Sequence, residues 1–334
     1  MRVCALALLL MGCVSESDSS GAAEGPDGLG DRSTDMPNGD GVGPDGGGGD
    51  VNDDGPAAVV APSDDDCPDL TKSHTTSFSS SGEERVVTVV VPDDPPDNMP
   101  VVFFFHGLLD PGSTPRPTEY MANALRFQDT ANEAGVAFIL PQSGTMQRMG
   151  FSFYMWAADE YEGADVVLYD DLRSCADQQL DIDLYNVHAM GFSGGGLFTT
   201  VIARDRGDTL ASIIEMSGGA DIDMLTFDYP LSVYETPASP MPALLISGGQ
   251  TDAWPGGGLE LVNFSKATDA LEDHLVEDGH FVVRCEHSSG HEVPMPAISM
   301  SWDWITAHSF GKPSPYAQDG LPSNAWTNWC EIAN

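Results

Sequence analysis

The run Gly191-Phe192-Ser193-Gly194-Gly195-Gly196 sets a single hydroxyl among glycines. Residues 186–190 before it are mostly apolar and read as a buried strand. Residues 197–203 after it read as a helix. A serine at so sharp a strand-to-helix turn has the pattern of a nucleophile elbow. The turn strains the serine backbone and leaves no room for side chains at two neighbouring positions. The same residues also fit a plain glycine-rich turn that ends a strand.

Serine is a weak nucleophile without a base, and the base needs an acid to orient it. In the elbow arrangement the acid and then the histidine follow later strands. The apolar residues 243–247 are followed by Gly248-Gly249-Gln250-Thr251-Asp252. Residues 280–285 are followed by Glu286-His287-Ser288-Ser289-Gly290-His291. Asp252 and His291 therefore stand where the two partners are required. Asp221, Asp223 and Asp228 follow the preceding strand and form an alternative acid position. His287 lies nearer its strand, but Gly290 and the longer reach favour His291. His188 falls inside a strand, His280 begins one and His274 lies in a helix, so these three read as structural. His74 and His308 have no supporting context. The oxyanion of such a reaction needs preorganised donors. The amide of Gly194 is one. The amide of Leu108, after the apolar residues 101–105 and His106-Gly107, is the second.

The elements that must hold these groups are legible in outline. Strands are expected at 85–91, 101–105, 136–140, 186–190, 212–216, 243–247 and 280–285. Helices are expected at 118–134, 165–180, 197–203, near 259–275 and at 297–309. Continuously apolar strands alternating with helices predict an α/β fold with a mostly parallel central sheet covered on both faces. Reactive groups in such sheets gather beyond the carboxyl ends of the strands. The segment 217–242 is too short for a large lid domain.

The ordered set His106-Gly107, Gly191-Phe192-Ser193-Gly194-Gly195, Asp252 and Gly290-His291 resembles the α/β-hydrolase superfamily. Over residues 85–310 the chain is similar to the secreted esterases grouped with polyhydroxybutyrate depolymerases and feruloyl or acetylxylan esterases. The resemblance implies an α/β-hydrolase fold, a Ser193-His291-Asp252 triad, an acyl-enzyme and hydrolysis of carboxylic esters without a metal or organic cofactor. Two departures are visible. Gly194 stands where many depolymerases have alanine, and Glu292 stands where many have tryptophan after Gly-His. An acidic side chain beside the base discourages anionic acyl groups. A prolyl-oligopeptidase-like peptidase shares the triad order but usually carries a large extra domain. A binding module on a hydrolase fold would show the loss of a triad member. Trp156 and Trp254, with Phe153 and Tyr154, fall near expected strand ends and are candidates to line a cleft or to pack the core.

The N-terminus adds a location. Arg2 precedes an apolar run ending Leu10-Met11-Gly12-Cys13. That run is too short to span a bilayer and reads as a signal segment over 1–12. It resembles a bacterial lipobox, which implies a lipid on Cys13 and an exported protein tethered to the cell envelope; an ordinary secretory signal is the alternative. Residues 13–66 are rich in Gly, Asp, Pro and Ser and read as a disordered linker. Their Asp-Gly runs lack the ligand spacing of an EF-hand. The catalytic domain is expected over 67–334. Cys67, Cys175, Cys285 and Cys330 remain, and four cysteines in an exported chain allow two disulfides in three pairings. Cys285–Cys330 with Cys67–Cys175 is the expected pairing, and the cysteine spacing does not suit zinc.

The 334 residues carry 52 acidic and 13 basic side chains, a formal net charge of −39. So negative a surface repels nucleic acid and anionic membranes, leaving the lipid as the membrane contact and an ester, monomeric or polymeric, as the partner. A monomer is expected. The charge balance also predicts a fold stabilised by salt, which screens self-repulsion.

Overall fold

The computed structural model describes residues 55–148, 151–157, 163–223, 230–256, 259–322, 326 and 328–333. Nine strands form the main sheet: β1 His74–Ser80, β2 Glu83–Val90, β3 Met99–Phe105, β4 Ala137–Pro141, β5 Ile182–Phe192, β6 Ser212–Met216, β7 Ala243–Ser247, β8 Val282–Glu286 and β9 Cys330–Ile332. Their order across the sheet is β1-β2-β4-β3-β5-β6-β7-β8-β9. From β4 to β8 every neighbouring pair is parallel. The two outer strand pairs, and the β2–β4 join, are antiparallel.

The largely apolar character of the central strands follows from this placement. Successive side chains of a strand point to opposite faces, so a strand covered on both sides is apolar on both, and a polar side chain there, such as His188 on β5 or Glu215 on β6, is hydrogen-bonded. In β3, Phe103 and Phe105 enter one core and Val102 and Phe104 the other. All four are fully buried, and each contributes about 1.5–3 kcal/mol by leaving water. Helices α3 Ala164–Gln179, α4 Gly194–Arg206 and α5 Phe264–Glu277 cover the first face. Helices α1 Pro117–Ala124, α2 Phe127–Ala134 and α6 Met295–Ala307 cover the second. A short α7, Tyr316–Asp319, packs beside α6.

Three expected elements are revised. The single helix over 118–134 is two, because Arg126 adopts a left-handed φ of 57° and ends the run between α1 and α2. The helix near 259–275 begins only at Phe264, where the Asn263 side chain caps it by accepting the Lys266 N–H. Residues before the cap form a strand, Leu259–Asn263, paired with Ala253–Gly256. The linker boundary at 66 also moves. Residues 55–66 are held against the domain by polar contacts rather than apolar burial. Ser63 donates to Asp171 through both its N–H and its hydroxyl, and the Ala57 N–H reaches the Asp208 carbonyl at 2.8 Å.

Cys67 is bonded to Cys175 on α3, and Cys285 on β8 to Cys330 on β9. Cys13 lies outside the described residues. Among the described residues, no helix is long and apolar enough to cross a membrane.

Candidate active site

The elbow is built where β5 runs into α4. Ser193 sits at φ 59° and ψ −124°, a strained conformation for a residue with a side chain. Its N–H is tied to the Met216 carbonyl at 2.9 Å, and its carbonyl receives the Leu197 N–H at 3.0 Å. Two glycines permit the approach. A side chain at Gly191 would overlap the Gly195 carbonyl, and one at Gly195 would overlap the Phe105 carbonyl of β3. The sharp turn therefore depends on those two positions.

The loop after β7 carries Asp252 and the loop after β8 carries His291. His291 Nε2 lies 2.9 Å from Ser193 Oγ, and its Nδ1 lies 2.8 Å from Asp252 Oδ1. Asp252 is fully buried. Its other oxygen accepts the Gly248 N–H at 2.7 Å and the Ser217 hydroxyl at 2.8 Å. Burial alone would raise this carboxyl. The hydrogen bonds from His291, Gly248 and Ser217 outweigh it and hold the pKa below the usual carboxylate range. The carboxylate is thus charged and able to fix Nδ1–H, which leaves Nε2 free to accept the serine proton.

The imidazole of His291 is clamped between two phenyl rings. Phe192 stacks at 4.9 Å between ring centroids and Phe264 at 4.4 Å, nearly parallel. Phe264 also donates its backbone N–H to the Asp252 carbonyl at 2.9 Å. One residue therefore contacts both the ring and the loop that carries its acid. Neither Phe264 nor Ser217 belongs to a motif in the sequence. The signal for Ser217 is its position directly after β6; Phe264 is legible only once the hairpin 253–263 is known to fold back.

The two candidate oxyanion donors are neighbours. A Cβ on Gly194 would stand 3.3 Å from the Leu108 nitrogen, and one on Gly107 would stand 3.0 Å from Ser193 Cβ. Gly194 opens α4, where the first N–H groups of a helix have no intrahelical acceptor. Leu108 leaves β3 beside it.

The rival residues lie elsewhere. Asp221 is engaged with the Tyr234 N–H and His274 Nε2. The side chains of Asp223 and Asp228 lie outside the described residues. His287 accepts the Ser289 N–H and packs edge-on against Trp329. His188 is buried against Ser212, His308 between Trp304 and Ser314, and His280 against Met241. Half-buried His74 binds the Asp69 carbonyl.

The two tryptophans separate. Trp156 is a wall of the site rather than a ligand surface: its indole is buried, stacks on Phe198 at 4.6 Å and donates to the His106 carbonyl at 2.8 Å. It also meets Phe105 of β3 edge-on at 5.2 Å between ring centroids. Trp254 is half-buried. With Met155 and Leu261 it edges a small apolar cluster of Leu197, Ile222, Val262, Phe264 and Ala267. Leu197 belongs to the first turn of α4, so this cluster lies next to the elbow. Among the described residues, no group of three His, Cys, Asp or Glu is arranged to hold a metal ion.

No protein-family model and no curated protein matches this sequence. Solved structures do match in three dimensions. Native pOPH is 18% identical with a TM-score of 0.62, over 80% of this chain and 96% of that one. A serine-to-alanine variant of pOPH in complex with pNPB is 18% identical with a TM-score of 0.63, over 83% and 97%. Native sOPH is 18% identical with a TM-score of 0.59, over 80% and 96%. With its strand order, its parallel centre and its strand-to-helix elbow, the chain has the α/β-hydrolase fold.

Proposed function

We propose that this chain is a serine esterase. Ser193 Oγ attacks an ester carbonyl while its proton passes to His291 Nε2. Asp252 holds the imidazole and balances the positive charge that forms on it. The carbonyl oxygen becomes an oxyanion within reach of the Gly194 and Leu108 amides. Collapse of the intermediate expels the alcohol, which takes the proton from His291, and leaves an acyl-enzyme on Ser193. Water, deprotonated by the same imidazole, then releases the acid. The chain needs no metal or organic cofactor for these steps.

The observation that carries this reading is the hydrogen-bonded series Asp252–His291–Ser193, at 2.8 and 2.9 Å, ending on a strained serine. The similarity in fold to a pOPH variant with pNPB bound is in keeping with it. The apolar edge formed by Trp254, Met155 and Leu261 offers an acyl or alcohol group a surface beside the nucleophile. The short connection over 217–242 favours an open cleft and a bulky or polymeric ester, of the kind taken by polyhydroxybutyrate depolymerases or feruloyl and acetylxylan esterases. Two cysteine pairs and the lipobox-like Leu10-Met11-Gly12-Cys13 favour an exported, lipid-tethered enzyme.

The test is covalent labelling by a fluorophosphonate probe together with hydrolysis of p-nitrophenyl acetate. Both are expected in the wild type and neither in Ser193→Ala. Hydrolysis that survives Ser193→Ala refutes the assignment. A panel of polyhydroxybutyrate, acetylated xylan, methyl ferulate, short acyl esters and peptides separates the ester classes from one another and from peptidase activity.

A further inference from the structure

Glu215 is a fully buried carboxyl in the middle of the sheet that the proposed reaction does not use. It is the fourth residue of β6, paired across the sheet with Gly191 on β5 and Leu245 on β7. Its Oε2 accepts the Gly219 N–H at 2.7 Å, and its Oε1 lies 2.7 Å from the Thr200 hydroxyl on α4. The same hydroxyl lies 2.7 Å from the Gly219 carbonyl.

The proton count decides between the two forms of Glu215. Thr200 has one O–H proton, and both oxygens it faces are acceptors if Glu215 is ionised. One of two buried contacts would then bring lone pair against lone pair. With a proton on Oε1 the conflict disappears. Glu215 donates to Thr200, Thr200 donates to Gly219, and the Gly219 N–H donates back to Glu215. Each group in this ring donates once and accepts once, an arrangement that buried polar groups favour strongly.

Among the described residues, the elements packed on Glu215 bring no charge to it. Gly191 and Leu245 flank it in the sheet, and α4 offers Thr200. Across the turn, α5 offers Ala267, whose carbonyl receives the Ala220 N–H, and Thr268, whose hydroxyl approaches the Gly218 carbonyl. Asp252 stands beyond Ser217, hydrogen-bonded to its hydroxyl. Burial, set against the two hydrogen bonds, raises the carboxyl to about 8.

The ring also has a place in the site. The turn it closes, Ser217–Gly219, begins with Ser217 at a left-handed φ of 48°. Ser217 is the residue whose hydroxyl reaches Asp252. We propose that Glu215 is carried at neutral pH as an uncharged carboxylic acid, and that it is a positioning residue locking the turn that presents Ser217 to Asp252. The second half of this statement rests on the proposed triad; the first does not.

The test compares the wild type, Glu215→Gln and Glu215→Leu in the full chain. Glutamine reproduces the protonated acid, with an N–H for Thr200 and an oxygen for Gly219. A folded-state pKa near 8 against 4.5 unfolded means that the extra stability is complete below about 4.5 and drains away up to about 8. Glu215→Gln has no such drain. Between pH 5 and 8 the folding constant of the wild type, relative to Glu215→Gln, is expected to fall by up to about tenfold per pH unit, then to level off. A ratio independent of pH, or one moving the other way, overturns the neutral acid. Should Glu215→Gln fail to fold, the infrared carbonyl band of a protonated acid in the wild type decides: present at pH 7 and lost at alkaline pH supports the proposal, absent at pH 7 refutes it. For positioning, kcat is expected to decline above pH 8 in the wild type and not in Glu215→Gln, with KM unchanged. Glu215→Leu, which breaks the ring, loses kcat at every pH. Identical alkaline limbs in wild type and Glu215→Gln refute the positioning role. A wild type that hydrolyses no ester yet shows the stability drift would instead count against the triad and leave the neutral acid standing.

Discussion

His106 grips the carbonyl of the residue that follows it: its Nδ1 lies 2.8 Å from the Gly107 oxygen. Its Nε2 receives the Ser143 N–H at 3.2 Å. A ring nitrogen that accepts there must be bare, so the proton sits on Nδ1 and is donated to Gly107. In a trans peptide the N–H points opposite to the C=O. Holding the Gly107 carbonyl therefore turns the Leu108 N–H away from His106, and the Leu108 nitrogen lies beside Gly194 at the start of α4. Burial lowers the His106 pKa to about 4, with the Gly107 bond opposing, so the ring stays neutral at physiological pH.

His106→Ala releases that peptide. Loss of one oxyanion donor costs about 10²–10³ in rate, so with Leu108 in its proposed role a loosened amide is expected to cost about 10–10² in kcat with little change in KM. His106→Asn, whose amide can replace Nδ1–H, should recover part of it. Steady-state kinetics between pH 6 and 9 check this, and the defect should not vary across that range. Stability carries a second signature. A folded value of about 4 against 6.5 means that folding weakens as pH falls from 6.5 to 4. His188, lowered to about 3, and His308, to about 4, contribute in the same sense. His106→Asn should reduce the acid-side slope, not abolish it.

Phe264→Leu keeps apolar volume at the site but removes one face of the clamp on His291. The backbone bond to Asp252 survives, so any defect reports the ring. The imidazole gains freedom to turn away from Ser193, and near-attack geometry is lost in proportion. We expect kcat to fall about fivefold to tenfold, stability to change by about 1 kcal/mol, and fluorophosphonate labelling to slow in parallel. Unchanged labelling would mean that Phe192 and the Asp252 bond suffice.

How much of this arrangement the sequence disclosed depended on the range of the forces involved. Ser193, Asp252 and His291 each follow an apolar run, so the strand ends that carry them could be marked from local pattern alone. Alternation of one residue per face explains why those runs are largely apolar on both faces, with His188 and Arg284 as buried exceptions. The contacts that refine the site depend on pairings distant in the chain. Phe264 reaches His291 only because residues 259–263 form a strand against 253–256, whereas local composition favoured a helix. Trp156 was a candidate cleft residue because aromatic character says nothing about which side of a strand end is solvent. Residues 55–66 have the composition of a free linker, yet Asp171 and Arg173 on α3 bind them.

That segment is stapled by Cys67–Cys175, which closes a loop of 108 residues, against 45 for Cys285–Cys330. In the chain-entropy account a longer loop yields more, about 4–5 kcal/mol near a hundred residues against about 4 near forty-five. Replacing Cys67 and Cys175 by serine should therefore lower the melting temperature at least as far as replacing Cys285 and Cys330. The first pair ties the N-terminal segment to α3, neither of which carries Ser193, Asp252 or His291, so its loss should spare kcat at temperatures where the variant stays folded. Calorimetry with activity at 20–25 °C checks both. A larger effect from the second pair would place more of the stability at the β8–β9 edge than along the 55–67 segment.

Glu292 is exposed and adjoins His291, on a chain whose formal net charge is −39. An ester bearing a carboxylate must approach this side chain and the field of the whole surface. Coulomb repulsion between unit charges several ångströms apart in water amounts to about a twofold to fivefold effect on binding. At low salt we expect KM for an anionic ester to exceed that of a neutral isostere by more than this, because many charges add. Glu292→Gln should remove about a twofold to fivefold share. Raising NaCl from about 0.1 to 1 M shortens the screening length from about 10 to 3 Å and should close the rest of the gap, while the melting temperature rises as surface self-repulsion is screened. If KM for the anionic ester ignores salt and Glu292→Gln alike, acidic residues at the rim do not select the substrate, and shape beside Trp254 must do so instead.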